Sequence, residues 1–164
     1  MDISVIINTF ELSFLREAAG LADSRLELLD RVSRTSDDPD GDGVFDRAEY
    51  ITGFGLVACQ TYITASVALS RLDKKQALAL GPPHHSGYKL VFLVDALANY
   101  WKHSSEWEQP LQGRAQMIAS AIAKLSVDIN APYVMSNALA SMLRPSKPRI
   151  ERLVPFLSQW HDSL

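Results

Sequence analysis

At 164 residues, 47% of them hydrophobic, the chain is long enough to bury one proper core and reads as one domain, 1–164. A net charge of −3 excludes a strongly basic nucleic-acid binder. The one cysteine, Cys59, excludes an intrachain disulfide and suits a reducing cytoplasm, with Cys59 itself read as a small buried hydrophobe.

Residues 3–33 read as helix. Phe10, Phe14, Leu21, Leu28, Leu29 and Val32 recur at helical spacing among charged residues, and Gly20 suggests a bend or a division into two pieces. An acidic loop, 38–49, follows. A second helix over about 46–72 is rich in small residues (Gly53, Gly55, Ala58, Ala65, Ser66, Ala68), which let neighbours approach closely and place it inside a bundle. Its interruptions by glycine and polar residues argue against a membrane span. The start, Met1-Asp2, has no basic region and does not read as a signal peptide. A short segment, 73–80, leads to the Pro/Gly loop 81–87, the clearest break in the chain. His84 and His85 lie in that loop. Adjacent histidines in extended chain point opposite ways, so they read as surface residues and not as metal ligands.

The stretch 87–107 is apolar almost all round and is expected to be the central helix. At 100° per residue Asp95, Asn99, Lys102, His103 and Glu106 share one polar stripe, which either faces solvent or lines a cleft. Trp101 and Trp107 read as core. Helices over 112–127 and 133–143 follow. In the last helix Ser146 is the expected cap, Pro148 the first residue and Pro155 a kink. Arg144, Lys147, Arg149 and Arg152 form a modest basic cluster there. No strand alternation is visible, so the fold class is all-α, a bundle of about six helices.

The acidic loop has the spacing of a calcium site. Asp38, Asp40 and Asp42 stand at positions 1, 3 and 5, Gly43 at 6, Val44 at 7 with its carbonyl, Asp46 at 9 and Glu49 at 12. It carries six acids against Arg47, a balance of −5 over residues 37–49, which leaves +2 on the remainder of the −3 chain. These residues resemble a single EF-hand loop, with Phe45 at the usual apolar position 8 and no second loop to pair with. The resemblance implies calcium as a ligand, structural or regulatory.

Ala98-Asn99-Tyr100-Trp101-Lys102-His103 on a late central helix of an all-α bundle resembles the HEPN superfamily. That superfamily's small helical domains often dimerise and often act as metal-independent ribonucleases in toxin–antitoxin and antiphage systems. Asn99 and His103 match the motif's polar residue and histidine; its arginine position is Ala98. The resemblance implies a homodimer with Asp95, Asn99, Lys102 and His103 at the site, binding RNA, a nucleotide or a partner protein. Arginine stabilises developing phosphate charge and alanine does not, so catalysis of that kind is expected to be weakened. A calcium-binding helical module without a nucleic-acid role is the alternative.

Overall fold

The computed structural model describes residues 3–164, with side chains from residue 9 onward. The described residues form seven α-helices and no named strand: α1 (Ile3–Ser33), α2 (Val44–Leu69), α3 (Lys74–Leu78), α4 (Leu90–His103), α5 (Gly113–Ala123), α6 (Val134–Met142) and α7 (Val154–His161). Short 3-10 turns occupy Ser104–Glu106 and Ile150–Leu153. The fold is all-α, as the periodicity indicates.

α1 and α2 form an antiparallel hairpin, and α2 also packs against α4, α6 and α7. α4 is the central helix: Leu90, Val91, Leu93, Val94 and all of 96–98 are buried. The small residues of α2 have a specific reason. A Cβ added at Gly53 would overlap the ring of Trp101, and one at Gly55 would stand 2.6 Å from Ile150 Cγ1. Trp101 and Trp107 are half-buried, edge-on to Tyr50 and Tyr100 respectively. α2 is long and apolar enough to cross a membrane by length and composition; in this fold it is a core helix. Cys59 on it is fully buried, and burial pushes its thiol up to about 12.

Several boundaries differ from the sequence reading. α1 is one continuous helix, and Gly20 marks a close approach instead of a bend, since a Cβ there would stand 3.2 Å from Glu151 Oε1. α2 begins at Val44, two residues before 46. α4 begins at Leu90 because Gly87, at φ 91, closes a tight loop in which His84 N–H donates to the Tyr88 carbonyl at 2.9 Å. Neither Ser146 nor Pro148 starts the last helix. The chain enters a 3-10 turn at Ile150, and Pro155 sits in the first turn of α7, where a missing N–H costs nothing.

The histidine pair also differs. The rings of His84 and His85 lie 3.9 Å apart, tilted together rather than pointing apart. His84 is half-buried and pinned: Nε2 lies 3.0 Å from the Met142 carbonyl, and Nδ1 accepts the Ser86 N–H at 3.2 Å. These partners require the neutral Nε2–H tautomer. Burial lowers its pKa, as it lowers that of His161.

Three outcomes check this account. Leu97→Asp, at a position with no exposure, should prevent cooperative folding by circular dichroism, because it places an unpaired charge in the core. Gly55→Ala should cost about 1–3 kcal/mol in urea unfolding through overpacking against Ile150. A histidine with a lowered folded pKa takes up its proton less readily when folded than when unfolded. Stability should therefore hold above about pH 6.5, the unfolded value, and fall as pH drops below it. His84→Gln should flatten that slope in melting temperature against pH, leaving the share due to His161.

Candidate functional site

The acidic loop is built differently from a calcium cage. Because α2 starts at Val44, loop positions 7 to 12 are already helical, and the Val44 carbonyl lies within the first helical turn. Gly43 does take the left-handed turn, at φ 67. The carboxylates disperse from there. Asp38 Oδ1 accepts the Gly41 N–H at 3.0 Å, and Asp42 accepts the Ser36 hydroxyl at 2.6 Å. Asp40 accepts the Tyr133 hydroxyl, a bond that pushes the phenol up to about 12. Asp46 is exposed in the first turn of α2.

Glu49 leaves the loop altogether. Its carboxylate accepts from Met135 N at 2.6 Å, Ser136 N at 2.9 Å and Ser136 Oγ at 2.8 Å. It therefore caps the N-terminus of α6, where orphan N–H groups and the helix dipole favour an anion. Among the described residues no group of three or more His, Cys, Asp or Glu side chains is placed to hold a metal ion. In this arrangement the side chains of Asp38, Asp40, Asp42, Asp46 and Glu49 are not gathered around one point, and the Val44 carbonyl belongs to α2.

The α4 stripe divides. Asp95 and Asn99 are buried; Lys102 and His103 are exposed at the C-terminal end. His103 Nδ1 lies 3.3 Å from Glu106 Oε2. Lys102 borders a different depression, with Tyr50, Trp101 and Tyr133. The four residues expected to share one cleft therefore do not.

Asp95 is the centre of what is there. Its side chain is 7% exposed, and three helices converge on it. Gln60 of α2 donates at 2.8 Å, Lys74 of α3 approaches at 2.7 Å, and Asn99 one turn along α4 donates at 3.1 Å. Arg114 of α5 stands 3.9 Å away. Lys74 is held at the start of α3 by a capping box in which Asp73 accepts from Gln76 N and Gln76 accepts from Asp73 N.

This network forms the floor of a cleft of about 620 Å3 between α3, α4 and α5. Its walls are mostly apolar: Leu78, Met117, Ile118, and Tyr88 stacked on Phe92 with centroids 5.0 Å apart. Its charged residues are Lys74, Lys75, Lys89 and Arg114 against Asp95 alone, so it is +3 in a chain that is −3 overall. Arg114 is 62% exposed, with the long Asp95 contact as its ion pair among the described residues. Its guanidinium donors are available to something in the cleft. A concave, mainly apolar site with a few converging polar groups is the usual form of a small-molecule pocket, and the volume lies in that range.

Sequence reading reached Asp95 and Asn99 but missed Gln60, Lys74 and Arg114. The signal that existed was Asp95 itself, since a carboxylate in an otherwise apolar helix requires donors from elsewhere. Which donors is a matter of tertiary packing. No known protein family, curated protein or solved structure matches the chain.

Glu49 provides a direct check. In buffer containing a calcium chelator, Glu49→Gln should still lower stability by about 1 kcal/mol, because it removes the anion from the α6 N-terminus. An unchanged urea midpoint in chelator would show that the carboxylate does not act as a cap.

Proposed function

We propose that this domain is a binding module, HEPN-like in its helical character, whose cleft between α3, α4 and α5 takes a small anion with an aromatic or apolar body, a nucleotide in class. The observation that carries the reading is the Lys74–Asp95–Arg114 arrangement under apolar walls. Asp95 neutralises and orients Lys74, while Arg114 contacts it only at long range and keeps its planar fork free for a phosphate or carboxylate. The stacked Tyr88 and Phe92 offer a flat surface for a base or other ring.

Binding is proposed in place of turnover for three reasons. Asn99 commits its amide to Asp95, at 2.7 Å to the carbonyl and 3.1 Å to the carboxylate. His103 lies outside the cleft, against Glu106. The arginine position of the HEPN-like motif is Ala98, which is fully buried and offers no cation.

Calorimetry with nucleoside mono-, di- and triphosphates, and with single-stranded RNA for comparison, tests the reading. A nucleoside phosphate should bind, and Arg114→Ala should weaken it about tenfold, roughly 1.4 kcal/mol. Lys102→Ala and His103→Ala should leave affinity unchanged. No heat with any nucleotide, or binding indifferent to Arg114, would remove the proposal.

A further inference from the structure

The outer face of α1 is apolar and uncovered within the domain. Phe10 is 69% exposed, Phe14 49%, Leu21 58%, Leu28 42% and Val32 38%, while the adjoining face, about 110° round the helix, sends Leu15, Ala18, Ala19 and Ala22 into the core. Single exposed apolar residues are ordinary; a line of five along one helix marks an interaction surface.

The line has an internal symmetry. Phe10 and Val32 each lie eleven residues from Leu21, and Phe14 and Leu28 each lie seven. At about 100° per residue both offsets return to within about 20° of Leu21. The five side chains therefore form one straight stripe, about 33 Å long at about 1.5 Å per residue. The two charges nearest the stripe share its centre: Glu17 and Arg25 lie four residues to either side of Leu21, about 40° off its line, the acid toward the N-terminus and the base toward the C-terminus.

We propose that this stripe docks on the same stripe of a second copy of the chain, α1 antiparallel to α1 about a two-fold axis at Leu21. In that arrangement Leu21 meets its own equivalent, Phe14 meets Leu28 and Phe10 meets Val32. Glu17 stands level with the second copy's Arg25 across the seam, a pairing that occurs twice. A parallel arrangement in the same register would instead set each charge beside its own like. Self-complementarity of this kind is what an isologous contact requires, and a partner of other sequence would have no need of it. α1 contributes no residue to the α3–α4–α5 cleft, so the inference is independent of what the cleft binds.

The test is sedimentation velocity with light scattering on the full chain over a range of concentrations. A dimer is expected. Leu21→Glu sets two carboxylates face to face across the axis and should give a monomer whose circular dichroism spectrum matches the parent's, since the site is exposed. Glu17→Arg should raise the dimer dissociation constant at least about tenfold by placing like charges level. Combining it with Arg25→Glu in the same chain should restore the parent value. Leu21→Cys should cross-link to itself under mild oxidation, with Cys59 remaining buried. A parent that is monomeric throughout, a dimer indifferent to Leu21→Glu, or a charge swap that fails to rescue would each overturn the proposal.

Discussion

The carboxylate of Asp95 constrains this structure more than any other group. It sits in the middle of the most buried helix, where a charge without partners would be very costly. Its partners therefore have to be brought to it, and they come from three directions: Gln60 along α2, Lys74 at the start of the short α3, and Arg114 at the start of α5. The capping box of α3, made by Asp73 and Gln76, brackets Lys74 and fixes the lysine's approach. The placement of α3, which packs on α2, and of α5, which packs on α4, is thus tied at the cleft to one side chain, Asp95.

The same device recurs twice at helix starts. Glu49 of α2 caps α6, and the buried Asp23 of α1 accepts from Ile150 N at 2.8 Å and Glu151 N at 3.0 Å, capping the 3-10 turn that leads to α7. Neither segment supplies its own side-chain cap. Orphan N–H groups at a buried helix start must find acceptors, and here distant carboxylates provide them. Arg149 completes the second site by donating to the Asp23 carbonyl at 2.9 Å, which takes it out of the surface basic cluster. Acids that look like a solvated or metal-binding run in sequence are partly fasteners between helices that are far apart in the chain.

Among the described residues, two surfaces stand apart from the core packing. One is a concave, positively charged cleft with apolar walls; the other is a straight apolar stripe on α1. They differ in what they ask for. The cleft presents spare donors around one carboxylate, which is the ground for proposing a compact anion there. The stripe has little concavity and repeats itself about its midpoint, which suits a second helix with the same pattern. Because separate helices carry them, a ligand in the cleft and a second copy on α1 do not compete for residues.

The amino-acid sequence by itself determined the helical class, the central place of the 87–107 stretch and the close packing demanded by Gly53 and Gly55, because these follow from period and residue size alone. It also located Asp95 and Asn99 on one face of α4. The carboxylate spacing of residues 38–49 was equally legible, yet spacing states only where ligands stand along an extended loop. Once α2 starts at Val44 the second half of that run lies on a helix, Glu49 points to α6, and Asp38, Asp40 and Asp42 stay in the turn before it. Periodicity likewise marked the apolar line of α1 without telling that it faces outward, since a core face and an interface face carry the same pattern. Tertiary structure alone decided the partners of Asp95, the dispersal of the acidic loop and the division of the α4 stripe. Each depends on which helices lie side by side, and no local pattern encodes that.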